Sequence, residues 1–283
     1  MSWQVYISLA VVGLSVAILL QRELLSRYKL DPGGFAVLFQ LLVAVTMLPL
    51  VLVHGYNAHG FADLLLPITI SSVGFGVGSV IYGKALQRID ASVFSVLFAT
   101  QALWIMACGI WLLHEKLSML QTVGSLFIFA SVALLAKNVR SHRIHVGILF
   151  GIATGMFFGI AIAATSYVSR HMDLITWSFL AFVFGGFGSL AADPSSVRRM
   201  RPIFRAKALR LVLILCVVYA AGNLAMMYAY KYGPFSLVAP IRQTGIIVTT
   251  LLAFALMRSE RTNIARKLTA AAMCTFGVIL LVI

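Results

Sequence analysis

The stretch LVAPIRQTGIIV, residues 237–248, places Arg242, Gln243 and Thr244 in succession inside a long apolar run, just beyond Pro240. A guanidinium stays charged at every accessible pH and presents a planar fork of donors. At the centre of a membrane helix it costs about 2.5–3.5 kcal/mol on insertion scales, and less near the interface. An anionic ligand would offset that cost. Proline has no amide proton and suits the first turn of a helix. A helix beginning near Ala239 therefore places free amides beside Arg242. Amides, dipole end and guanidinium together suit a carboxylate or a phosphate. The competing reading is structural. Arg242 lies roughly 9 Å into its span at 1.5 Å per residue. From there its side chain either snorkels to the headgroups or ties helices together through their carbonyls.

Other polar side chains sit in the apolar runs. Asn223, Met226, Met227 and Tyr230 share one helical face at spacings of three and four, and Tyr219 extends it. Gln40 lies in the second run, and Gln101 and Trp104, three apart, lie in the fourth. Amides and phenols of this kind serve either a metabolite pocket or hydrogen bonds between helices. Trp3 and Trp177, at run ends, read as interfacial anchors.

The eight carboxylates, Glu23, Asp31, Asp63, Asp90, Glu115, Asp173, Asp193 and Glu260, all fall in loops or at run ends. A buried acid of the kind cation and proton pumps keep is missing from this pattern. The six histidines have no metal-ligand spacing, and Cys108, Cys216 and Cys274 lie in separate runs as small core residues. No nucleophile–base arrangement, metalloprotease motif or phosphate loop is present. The expectation is a protein that is not an enzyme, with no catalytic residue, no metal and no cofactor.

The elements that must carry these residues follow from composition. Of 283 residues, 61% are hydrophobic and 11% charged, and the mean hydropathy is +1.00. Apolar runs of about 20 residues, each able to cross roughly 30 Å of hydrocarbon, recur along the chain. Ten spans are predicted, at 3–21, 34–53, 64–86, 91–113, 118–136, 146–168, 174–192, 209–231, 236–257 and 266–283. The first lacks a basic lead-in and reads as a retained span. No loop is long enough to fold as a soluble domain.

The net charge of +14 does not indicate nucleic acid, because the basic residues sit in short loops rather than on one soluble face. Eighteen of the 22 Lys and Arg fall after odd-numbered spans, three after even-numbered spans, and Arg242 is the remainder. By the positive-inside rule the first set is cytoplasmic and both termini face outward. The basic loop RRMRPIFRAKALR (198–210) reads as part of that topology signal rather than as a lipid-headgroup dock.

The chain also matches itself. GSVIYGKALQRIDASVFSVLFAT (78–100) aligns with GNLAMMYAYKYGPFSLVAPIRQT (222–244), with Gly78, Ala85, Ser92 and Thr100 each 144 residues before Gly222, Ala229, Ser236 and Thr244. WLLHEKLS (111–118) aligns with ALMRSERT (255–262). Five spans per copy, an odd number, force opposite orientations, an arrangement common in transporters with a site near the midplane. On this alignment Gln101 and Trp104 line the counterpart of the Arg242 region. In the sixth span Gly147, Gly151, Gly155, Gly159 and Ala163 recur every fourth residue, which predicts a close helix contact.

GIWLLHEKLSMLQTVGSLFIFASVALL (109–135) and YAYKYGPFSLVAPIRQTGIIVTTLLAFALMRSER (228–261) resemble the EamA domain of the drug/metabolite transporter superfamily in two copies. The tenth span departs from the pattern, with TAAAM (269–273) where an early glycine is usual. The resemblance implies an all-α membrane protein of about ten transmembrane helices in two inverted five-helix repeats, 1–138 and 139–283. It implies a secondary transporter of metabolites, often an exporter, and with Arg242 the expected substrate is a small polar or anionic metabolite such as an amino acid. The expected setting is a bacterial inner membrane, as a monomer or homodimer, with a small-molecule substrate and membrane lipids as partners. The alternative is a flippase for a lipid-linked substrate or a partner subunit of a membrane enzyme.

Overall fold

The computed structural model describes residues 2–113, 118–136, 142–232, 238, 241–242, 244–257 and 261–282, a few of them, Tyr230 included, by backbone alone. The regular structure among these residues is helical. A chain this apolar must satisfy its backbone within each segment, because hydrocarbon offers no partners. The helices are α1 (Trp3–Ser26), α2 (Pro32–His54), α3 (Leu65–Leu86), α4 (Ala91–Phe98), α5 (Gln101–Leu113), α6 (Met119–Ala136), α7 (His142–His171), α8 (Leu174–Ala192), α9 (Ser196–Arg199), α10 (Ala206–Tyr232), α11 (Gly245–Leu256) and α12 (Ile264–Val282). Asp31 and Asp173 start α2 and α8, their carboxylates accepting the Gly34 and Thr176 amides at 2.9 and 2.8 Å. Among the described residues nine helical segments are long and apolar enough to cross a membrane, α4 and α5 counting as one. The 12-residue α11 belongs to the predicted ninth span.

The two halves are related by exchange. Taking each span to the one five places on turns the packing of α3 on α7 into that of α10 on α1. It turns α3 on α8 into α10 on α2, and α4–α5 on α7 into α11 on α1. It leaves α2 on α8, α6 on α12 and α4 on α11 as self-paired contacts. That is a pseudo-two-fold, and five spans per half make the halves inverted. The self-paired α6–α12 crossing shows it in atoms. A methyl added at Gly124 would meet the Gly277 carbonyl oxygen at 2.6 Å, and one added at Gly277 would meet that of Gly124 at 2.6 Å.

Small residues elsewhere let backbones approach in the same way. The glycine series of the sixth span packs along the fourth. Gly147 faces Ile89, Gly151 faces Leu97, Gly155 faces Thr100, and Gly159 faces Trp104 and the Gln101 carbonyl. Gly76 of α3 lies against Gly188 of α8. Trp177 corrects an expectation. It is 1% exposed and packs with Leu64, Ile68, Val168, Met172 and Leu180 rather than anchoring at the interface.

The basic face is held by arginines at helix ends. Arg22 donates to the Leu86 carbonyl at the end of α3. Arg266 donates to Leu134 and Leu135 at the end of α6, both at 2.7 Å. Arg261 donates to Phe254 and Ala255 near the end of α11. Each cation meets carbonyls a helix leaves unpaired at its C-terminus. Arg199 of the basic loop pairs with Asp31 and Asp193. At the opposite face His54 lies 3.2 Å from Asp173. Burial pushes the Asp173 carboxyl up, but the Thr176 amide and hydroxyl and His54 together hold it below its usual value of 3.8. A carboxyl depressed on folding adds stability above its unfolded value, and that stability is lost as pH falls through the folded value. The melting temperature is therefore expected to drop below about pH 4, and less so in Asp173→Asn. A titration in which both proteins fall alike would remove Asp173 from the cause.

Candidate functional site

The predicted fourth and ninth spans are both interrupted, at matching positions. The Thr100 amide and hydroxyl donate to the Leu97 carbonyl at 3.1 and 2.7 Å. The Thr244 amide and hydroxyl donate to the Ile241 carbonyl at 3.0 and 2.6 Å. These residues are the 144-residue mates Leu97/Ile241 and Thr100/Thr244. A threonine that bonds three residues back with both groups tightens the turn and stops the α-helical ladder. The expected helix start near Ala239 falls outside the described residues; Val238 before it and Ile241 and Arg242 after it are helical. Ile241 and Arg242 belong to a separate helical turn, Thr244 takes the N-cap position, and the regular helix begins at Gly245. Ala239, Pro240 and Gln243 lie outside the described residues.

Arg242 therefore stands at a break. The 12 residues of α11 run about 18 Å at 1.5 Å each, so Arg242 lies at least that far from the Leu256 end of its span. It is partly buried. It makes no hydrogen bond or ion pair with any described residue. Tyr219 of α10 and Tyr82 of α3 pack against one buried cluster that draws on both repeats. Tyr82 donates to the side-chain carbonyl of buried Gln21 on α1.

Aromatic rings surround both tyrosines. Tyr219 meets Phe39 of α2 and Phe182 of α8 edge-on, with centroids 5.0 and 5.9 Å apart. Tyr82 meets Phe94 edge-on at 4.6 Å and Phe98 at 6.0 Å, and Phe98 meets Phe158 at 5.2 Å. Phe98 is the repeat mate of Arg242. One half therefore offers a cation where the other offers a ring. By sequence the carboxylates fall in loops or at span ends, and Arg242 pairs with none of those described. The arrangement suits a carboxylate or similar oxyanion with an apolar body beside it.

The other predicted residues divide. Thr244 belongs to the break. Asn223 is partly buried on α10 and makes no hydrogen bond with a described residue. Met226 is buried in a cluster with Ile7, Ala10 and Val11 of α1, and the Ser178 hydroxyl points to the Met227 sulfur at 3.6 Å. Tyr230 lies on α10, its side chain outside what is described. Gln40 is 4% exposed and gives its amide protons to Ser79 and Ser189 at 3.0 and 2.9 Å. It locks α2 to α3 and α8 and is not brought to Arg242. Gln101 begins α5 beside the Thr100 break, its side-chain oxygen buried without a partner. Trp104 is 37% exposed and sits against Gly159; at the 144-residue offset the mate of Arg242 itself is Phe98.

Sequence reasoning missed Gln21, Tyr82, Phe39 and Phe182. Gln21 looked like the end of a span, and the repeat mate of Tyr82 is Met226, so the internal alignment gave Tyr82 no emphasis.

The comparisons with known proteins agree with this architecture. The profile of the EamA-like transporter family matches residues 1–137 and again 145–283. A solved structure described only as a crystal structure of a protein is similar, with a TM-score of 0.59 and 17% identity over 97% of this chain and 96% of that one. That likeness speaks to fold. The comparison with curated proteins finds no match.

Proposed function

The chain belongs to the EamA-like transporter family, a membrane transporter of the drug/metabolite superfamily, and from that premise we propose that it exports a small polar or anionic metabolite such as an amino acid. The observation that carries the proposal is Arg242, a cation within an apolar run that makes no hydrogen bond or ion pair with any described residue. An intramembrane cation is a functional-site hypothesis by default. The substrate oxyanion meets Arg242, and its body rests among the rings around Tyr219 and Tyr82. Asn223 and Gln101 are the amides nearest in kind to this role.

The repeats, 1–138 and 139–283, rock about the site and expose it to each side in turn. The basic face lies in the cytoplasm of a bacterial cell, the membrane is the inner one, and both termini are outside. A single chain supplies both halves, so a monomer suffices, and no step of the cycle calls for an enzymatic reaction.

Transport into proteoliposomes tests the reading. Radiolabelled mono- and dicarboxylates, amino acids, phosphate and quaternary ammonium compounds are offered at equal concentration. Uptake or exchange of acids or amino acids, with none for the quaternary cations, is expected. Transport of the cations alone would sink the proposal.

A further inference from the structure

At the basic face, between the repeats, lies a cavity of about 160 Å³ that Arg242 does not line. Arg88 and Asp90 line it from the first repeat, and Thr262, Asn263, Arg266 and Lys267 from the second; the rest of its wall is apolar. It has room for about five waters at roughly 30 Å³ each, or for one small oxyanion.

Its electrostatics are lopsided. Asp90 is the one acid among the lining residues, against three cations. The Lys267 ammonium lies 2.6 Å from one Asp90 oxygen, with its side chain only 6% exposed. Arg22 approaches the other oxygen at 3.5 Å. Asp90 holds the N-cap position of α4 yet does not cap that helix with its side chain, which turns instead to these cations. Lys267 also lies 5.9 Å above the Phe254 ring. A buried ammonium demands an anionic partner, and the lining carries three cations to one carboxylate.

We propose that this cavity binds a small oxyanion, a carboxylate or phosphate group, which replaces Asp90 on Lys267. Thr262 and Asn263 add neutral polar groups. Arg88, which bonds the Lys84 carbonyl and lies over the Phe150 ring, adds charge at the rim. Arg266, committed to the Leu134 and Leu135 carbonyls, adds charge in the same way. The Lys267–Asp90 pair joins the two repeats, so an anion that takes Lys267 releases that tie. The ligand site is therefore also a latch on the basic face.

The test is the melting temperature of the purified full chain in neutral detergent. Sodium sulfate and inorganic phosphate are titrated against sodium chloride at matched ionic strength. Sulfate and phosphate are expected to raise it and chloride not. Asp90→Asn removes the competing carboxylate and is expected to tighten the apparent affinity about tenfold. Lys267→Met is expected to abolish the response, while Arg242→Gln leaves it intact. Equal effects of chloride and sulfate overturn the proposal. So does a response that survives Lys267→Met but disappears in Arg242→Gln, since the anion then sits at the central site. If Lys267→Met does not fold, Arg88→Gln takes its place, and an unchanged sulfate affinity there counts against the cavity. Nanodiscs separate the two sources of the anion. A sulfate response seen in phosphatidylcholine but lost in phosphatidylglycerol assigns the cavity to a lipid headgroup. A response equal in both assigns it to a soluble anion.

Discussion

Arg242→Gln is expected to abolish substrate-dependent stabilisation and transport while leaving the empty protein as stable as before, or more so. Removing one partner of a desolvated charge pair costs about 2–5 kcal/mol, which is roughly 30-fold or more in affinity. In the empty protein Arg242 has no partner to lose among the described residues, and glutamine relieves the cost of a poorly solvated charge. The pairing of those outcomes matters. If Arg242 only ties helices together, the variant melts earlier and its ligand response survives in whatever folds. Arg242→Lys is intermediate, because it keeps the charge but loses the planar fork. Thermal shifts against the transported acids, measured beside uptake, decide between the readings.

The second large effect falls on packing. Alanine at Gly76 would place its methyl 2.7 Å from the Gly188 α-carbon and from the Ser189 amide nitrogen. Both are backbone atoms, so no rotamer change relieves the contact and α3 must move off α8. Overpacking of this kind costs about 1–3 kcal/mol, sometimes more. Gly13→Ala is the matched control, since its methyl would find the Gly222 α-carbon at 3.5 Å, an ordinary contact. In helices alanine is favoured over glycine by about 1 kcal/mol. Gly13→Ala is therefore expected to be neutral or stabilising and Gly76→Ala to melt well below wild type. Equal melting of the two would show that α3 and α8 are not this close.

Much of the architecture was legible in the sequence because hydrocarbon imposes a simple rule: long apolar runs become helices. The 144-residue register between Thr100 and Thr244 was also legible, and the structure gives it a meaning that residue types alone did not, since both threonines end a helix. The fourfold glycine series of the sixth span announced a close contact but not its partner. Other features depended on three-dimensional neighbours. Gln40 and Asn223 are both amides in apolar runs. Only the positions of Ser79 and Ser189 show that the first is spent on packing. Tyr82 and Phe39 looked like core residues, and their rings become part of a site only because the repeats bring α2, α3, α8 and α10 together. Trp177 was misread because a run-end position does not reveal that Leu64, Ile68, Val168, Met172 and Leu180 close over it.

The arginines at the helix ends carry a consequence for biogenesis. The excess of basic residues on one face is the bias that orients each segment during insertion. Arg22, Arg261 and Arg266 use that same charge, once the chain has folded, to close carbonyls left open by α3, α11 and α6. Insertion and folded stability therefore share side chains. Neutral substitution at these positions weakens the vote on orientation and uncaps a helix in one step, so drift in this chain's basic loops is constrained twice over.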